Sequence, residues 1–359
     1  MPTERINVST PGGVRTTIIK MHASGQTALL EDVKASAKRV FDCISTELHS
    51  VEEEFERQAR SNIQVIAYLG EHLRRSGGKR VRPALTILSN YSVGGDGANQ
   101  SSIRMATVME FLHTATLVHD DIIDKAETRR NRPSINSEFG NQTAVLMGDW
   151  LYMSAFETSL AERSLPILDI LTSVTRKMTE GELLQLTLLG RTDISEEQYF
   201  DVIARKTAFL FSACCEIGAL LGGANSDRQK MLRDYGMNLG IAFQLIDDVL
   251  DFTSSQDVLG KPAGADLVEG KISLPLIFLL QLEPELRSSI QTVISERAYH
   301  SVTREELQTA LVRTGALQLA QARAIEYAIG AVSALDGLDD SLHTEVLKSI
   351  PAYIVERDR

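Results

Sequence analysis

The sequence predicts an all-α protein, a single large bundle of about a dozen helices around a central cavity. Three observations carry this reading. Apolar residues recur at spacings of three and four, as at Met105, Val108, Leu112, Ala115 and Val118. Strand signals are nearly absent, with no Asn-Gly or Asp-Gly hairpin between alternating runs. Two acidic motifs of one pattern, far apart in sequence, each follow an apolar helical run, and sharing a site would require one continuous body. A prior of roughly 150 residues per domain would divide the 359 residues in two, yet no Gly/Ser/Pro-rich linker interrupts the middle of the chain.

Taken in order, residues 1–26 carry Pro2, Pro11, Gly12, Gly13 and Gly25 without periodicity and read as a loose arm. Residues 27–359 read as one helical domain. Its first pattern runs through Leu29, Val33, Ala37, Val40, Ile44, Leu48, Val51 and Phe55. Gly70 and Gly77-Gly78 punctuate the next stretch, and Pro83 fits the first turn of the helix after it. Gly94-Gly95 form a loop before the long helix ending at the first acidic motif, and Pro133 marks a turn. Further helices fit 142–162, 165–189, 196–221 and 226–252. Gly260-Lys261-Pro262 with Gly264 reads as a loop, Pro275 opens another helix, and the remainder from Glu305 is helical.

Composition narrows the class. Hydrophobic residues at 43% and charged ones at 24% describe an ordinary soluble globular chain. A formal charge of -11 argues against nucleic acid as a partner. Local basic clusters at Arg74, Arg75, Lys79, Arg80 and Arg82, and at Arg129, Arg130 and Arg132, suit a small anionic ligand instead. Cys43, Cys214 and Cys215 make no disulfide framework and no zinc-like spacing, so they read as reduced thiols of a cytoplasmic protein. No secretory signal is recognisable, and no apolar run reaches the ~18 residues that span a bilayer.

The chemistry is concentrated in His119-Asp120-Asp121-Ile122-Ile123-Asp124. Asp120 and Asp124 are one helical turn apart on one face, and Asp121 lies about 100° round the helix from Asp120. Clustered acids repel one another unless a cation lies between them, and Mg2+ takes oxygen ligands from carboxylates and substrate phosphates. Alone, such a motif is more often a solvated acidic turn. The second copy, Asp247-Asp248-Val249-Leu250-Asp251, makes coincidence hard to sustain.

Gly77 to Pro83 sets Lys79 and Arg82 beside a flexible turn, where both can lean on phosphate oxygens; it lacks the spacing of a Walker loop. Arg129-Arg130 comes after Asp124 near the end of the same helix or just beyond it. Lys206-Thr207, Lys261 and Lys271 are further candidates, each alone more readily a surface group. As a set they describe a cavity for diphosphate and Mg2+.

On these residues, together with His113 and Phe243-Gln244, the chain resembles the trans-isoprenyl diphosphate synthases, the polyprenyl synthetase family, in order over about 69–275. Val81, Asn131 and Ala265 depart from its common pattern of Leu, Gly and Lys. The resemblance implies the isoprenoid synthase fold and 1′-4 condensation of isopentenyl diphosphate with an allylic diphosphate. It implies that Asp120, Asp121, Asp124, Asp247, Asp248 and Asp251 hold Mg2+, about three ions per active site. It further assigns Arg129, Lys206, Thr207, Gln244, Lys261 and Lys271 to the allylic diphosphate side, with Lys206 among the catalytic groups. Lys79, Arg82, His113 and Arg130 are assigned to isopentenyl diphosphate. His113 on its residue type alone reads also as a core histidine. A homodimer, and transient membrane contact on product release, complete what the family implies.

Ala115 and Thr116, just upstream of Asp120, are small where bulky aromatics floor the pocket of short-chain members. One helical turn is about 5.4 Å, close to one isoprene unit, so Leu112 and Val108, faced by Met147 and Leu151, would set later layers. The phrase His113-Thr114-Ala115-Thr116-Leu117 resembles bacterial octaprenyl- and nonaprenyl-type synthases, implying a quinone side chain of roughly eight to ten units. Competing readings are a farnesyl or geranylgeranyl synthase, a terpene cyclase or head-to-head condensing enzyme, and a silent subunit that sets product length. An all-α scaffold with incidental acids is the blandest.

Overall fold

The computed structural model describes residues 42–60, 63–75, 78–129, 132–254 and 264–357, with the backbone alone at 65 and 73–75. The arm and the helical pattern expected from Thr27 to Phe41 lie outside them, as do Gly77, Arg130, Asn131 and Lys261. The helices are α1 (Ser45–Ala59), α2 (Gln64–Arg75), α3 (Val81–Ser92), α4 (Gln100–Ile123), α5 (Ile135–Phe139), α6 (Asn141–Leu160), α7 (Leu165–Leu188) and α8 (Glu196–Ile203). They continue with α9 (Phe209–Leu221), α10 (Ser226–Thr253), α11 (Ala265–Val268), α12 (Leu274–Leu282), α13 (Arg287–Glu296), α14 (Arg304–Thr314), α15 (Ala316–Ala334) and α16 (Leu342–Glu356). Among the described residues the bundle is all-α apart from a two-residue antiparallel ladder, Thr128–Arg129 with Arg132–Pro133, and an isolated bridge between Asp336 and Leu338.

Local chemistry sets the boundaries. Asn99 caps α4 by accepting from Ser102 N at 2.8 Å, and Asn225 caps α10 from Arg228 N at 2.9 Å. Ser195 and Gln198 close a reciprocal capping box on α8. Pro166 sits in the first turn of α7, where its missing N–H costs no hydrogen bond. Arg80, left-handed at φ 48°, turns the chain into α3.

One expectation needs correction. The stretch 196–221 is not one helix: a π-helical turn, Ala204–Ala208, separates α8 from α9. Arg129 lies on the ladder just beyond α4, which stops at Ile123, one of the two places expected for it. The break at 204–208 depends on packing that periodicity does not encode.

α4 packs on α6 and α3, while α10 is flanked by α9 and α15. α15 meets α10 through buried Ala316, Ala320, Ala324, Ala328 and Ala331, whose small side chains admit a close approach. A Cβ on Gly240 would lie 2.6 Å from Ala208 Cα, so the glycine lets the π turn rest directly on α10. α4 and α10 thus end at the same end of the bundle with a cavity between them. No helix among the described residues is long and apolar enough to cross a membrane.

Candidate active site

Both acidic motifs lie within the last two turns of a helix or at its C-cap, where the macrodipole is negative and carboxylates are disfavoured unless cations offset them. Each aspartate with a described contact has such an offset or a hydrogen-bond donor. Lys206 Nζ, carried by the π turn, lies 3.8 Å from Asp120 Oδ2. Arg129 grips Asp121 Oδ1 at 2.6 Å, and Lys271 reaches Asp124 Oδ1 at 3.0 Å. Across the cavity, Arg357 pairs with Asp247 and donates to Phe243 O at 2.9 Å. Asp248 accepts from the Tyr199 hydroxyl at 2.6 Å and from Gln244 Nε2 at 2.9 Å, while Thr207 donates to Gln244 Oε1 at 2.9 Å.

Asp120 and Asp247 face a cavity of about 1350 Å³ that adjoins a second of about 480 Å³; Leu117, Asp120, Arg129, Lys206, Gln244 and Asp247 are among the residues lining both. Lys79, Arg82 and His113 line the larger, and Asp124, Asp248 and Lys271 the smaller. Arg82 also rests over the Phe211 ring at 4.8 Å. Asp121 faces a small side cleft rather than either main cavity. Asp251 is buried at 1% exposure and lines no described cavity. Arg130 and Lys261 lie outside the described residues.

Burial pushes Asp120 up to about 6; Lys206 pulls it back, and Glu182 and Asp124 raise it further. Asp248 is pushed up to about 7 by burial and by Asp266, against the donors Tyr199 and Gln244. Burial opposes the Lys271 ammonium, but Asp124, Glu269 and Asp266 outweigh it and keep it charged. The site therefore holds carboxylates ready to ionise fully once a cation arrives.

Among the described residues no three His, Cys, Asp or Glu side chains converge as a finished metal cage. The donors around the cavity are nonetheless carboxylate oxygens paired with cations and donors, the chemistry a hard divalent ion takes with phosphate completing its shell. The residues fit Mg2+ held jointly with substrate.

Of the residues expected to floor the pocket, Thr116 lines the larger cavity, while Ala115, Leu112, Val108, Met147 and Leu151, at 0–2% exposure, pack in the core. Apolar residues lining that cavity are Tyr152, Met153 and Phe156 of α6 with Met178, Leu183 and Leu186 of α7. α4 packs against α6 and α3, and the cavity reaches residues of both α6 and α7. Glu182, Tyr152, Tyr199 and Arg357 also border the site and carry no motif that single-sequence reading picks out. Helical phase does place Tyr152 and Phe156 on one face, the only available signal.

The polyprenyl synthetase family model matches residues 63–311. The octaprenyl diphosphate synthase of Escherichia coli (strain K12) is 39% identical over 303 residues, 84% of this chain and 93% of that one. An all-trans-nonaprenyl-diphosphate synthase (geranyl-diphosphate specific) of Rhodobacter capsulatus is 36% identical over 298 residues, 83% and 90% of the two chains. The polyprenyl synthase of Caulobacter crescentus CB15, solved with calcium and isoprenyl diphosphate, superposes with a TM-score of 0.86 at 34% identity, covering 90% and 98%. The chain belongs to the polyprenyl synthetase family.

Proposed function

We propose that this member of the polyprenyl synthetase family condenses isopentenyl diphosphate head-to-tail onto an allylic diphosphate and releases a long all-trans polyprenyl diphosphate of the kind used for quinone side chains. One observation carries the reading: a single cavity has cation-balanced carboxylates at its mouth and an apolar wall in its depth. Its about 1350 Å³ exceeds the ~300–1,000 Å³ usual for small-molecule pockets, as a growing hydrocarbon would need.

When bound, Mg2+ would supply Lewis-acid stabilisation of the departing diphosphate. Asp120 and Asp124 on one wall and Asp247 and Asp248 on the other are placed to hold it, with Asp121 and Asp251 behind them. Lys206, Lys271 and Arg129 present fixed positive charge where negative charge grows as the allylic C–O bond breaks, the preorganised kind of stabilisation. Lys79, Arg82 and His113 on the other side of the larger cavity suit the diphosphate of isopentenyl diphosphate. Thr207 and Gln244, hydrogen-bonded to each other at 2.9 Å, both line the cavity and suit the neighbourhood of developing positive charge. No side-chain nucleophile is required.

A homodimer fits the same reading. α6 and α7 expose Leu146, Met153, Leu165 and Leu183 at 60–73%, an apolar stripe that includes Met153 and Leu183 of the larger cavity's lining and that a second copy would cover. The polypeptide is assigned to the cytoplasm.

The purified enzyme is incubated with farnesyl diphosphate, isopentenyl diphosphate and Mg2+, and the products are separated by chain length. Products of roughly eight to ten units are expected, from one unit per helical turn of depth; elongation ending at farnesyl or geranylgeranyl would reject the long-chain reading.

A further inference from the structure

Lys206 is not held by the aspartates alone. Its ammonium lies 2.7 Å from Glu182 Oε1 and 2.9 Å from Glu182 Oε2, closer than its 3.8 Å to Asp120. Glu182 belongs to α7 and is only 19% exposed at its side chain. The neighbouring backbone makes this contact unusually direct. A Cβ on Gly181 would sit 2.7 Å from Arg205 Cβ and 3.0 Å from Lys206 N, so α7 and the π turn touch main chain to side chain. On the far side of that contact Arg205 pairs with Glu180 at 2.6 Å. Glu180-Gly181-Glu182 thus forms a two-point clasp on Arg205-Lys206.

A lysine head is a compact charge on a flexible four-carbon stem, and its direction costs rotamer entropy to fix. Within a π turn, whose widened ring shifts side-chain directions away from α-helical positions, that direction is not set by the helix alone. Two carboxylate oxygens on one ammonium remove most of the freedom. Glu182 is also poorly suited to touch the substrate itself, since a carboxylate would repel a diphosphate.

We propose that Glu182 is a positioning residue: it acts on prenyl transfer chiefly through Lys206, holding the ammonium toward the leaving diphosphate beside Asp120. This rests on the assignment of prenyl transfer to the cavity. Glu182→Ala then frees the lysine head and lowers kcat by about 10- to 100-fold, the scale of one charge-assisted hydrogen bond. The KM for isopentenyl diphosphate, bound on the other side, stays within about twofold because no contact there changes. Glu182→Gln, whose amide oxygen still accepts from Nζ, recovers most of kcat.

A double-mutant cycle decides the matter. Wild type, Glu182→Ala, Lys206→Ala and the double variant are assayed at saturating substrates and Mg2+, with melting curves to confirm that each is folded. The expected result is that Glu182→Ala costs tenfold or more beside Lys206 and almost nothing once Lys206 is alanine. Equal costs in both backgrounds, no cost in either, or failure of Glu182→Gln to recover activity would overturn the proposal. A wild-type enzyme that forms no prenyl product would instead refute the assignment of prenyl transfer, so the two failures are distinct.

Discussion

The two acidic motifs are nearly the same in sequence and differ in how the fold treats them. Asp120, Asp121 and Asp124 are each met by a cation, from Lys206, Arg129 and Lys271. In the second cluster Asp247 meets a cation, Arg357, while Asp248 is held by the neutral donors Tyr199 and Gln244. Burial, with Asp266 beside it, pushes the Asp248 carboxyl up to about 7, and burial pushes Asp120 up to about 6. An aspartate motif therefore specifies donors but not their surroundings: the equivalent Asp121 and Asp248 meet a guanidinium in one wall and neutral donors in the other.

The largest test of that contrast removes one aspartate from each wall. Asp120→Ala and Asp247→Ala are each expected to reduce turnover by about 10³-fold or more, as loss of charge stabilisation worth several kcal/mol implies. Incorporation of labelled isopentenyl diphosphate measures it; undiminished turnover in Asp247→Ala would remove the second wall from the site.

A second pair separates cavity wall from core. Phe156→Ala deepens the space between α6 and α7 and should lengthen the product by a unit or so, on the scale of one helical turn. Leu151→Ala, on the same helix but fully buried, should leave product length alone and cost about 2–5 kcal/mol of stability. Chromatography of products and urea unfolding distinguish the two outcomes, and longer product from Leu151→Ala would restore the expected floor.

The smallest expected effect is on pH. Asp248 has a folded pKa near 7, above its unfolded value, so its protonated form stabilises the metal-free fold. That contribution is fully present below the usual carboxylate range and is lost as pH rises through about 7. The metal-free protein should therefore melt lower at pH 8 than at pH 6, and Mg2+ should raise the melting temperature more at pH 8. Equal Mg2+ shifts at the two values would argue that Asp248 takes no part.

Much of this was legible from residues alone. Apolar spacing identified an all-α chain, and the repeated acid pattern with Lys79, Arg82, Lys206 and Lys271 identified the ligand chemistry, because charge and period are properties of the string itself. The π turn at Ala204–Ala208 was not legible: it packs closely on Gly240 and Gly181, contacts distant in sequence, while its local sequence reads as ordinary helix.

The lining of the larger cavity was not legible for a related reason. Counting upstream from Asp120 along one helix places Ala115, Leu112 and Val108 at the correct phase, yet phase does not tell which neighbour covers them. α6 and α3 do, so that face of α4 is core. Residue order was enough for the helices, the acids and the cations that could answer them. It took the packed chain to show which residues of α4 are covered, that Tyr152 and Phe156 line the larger cavity, and that Glu182 pairs with Lys206. Those outcomes are contacts between segments distant in the chain, set by helix crossing and close packing rather than by any residue's own preference.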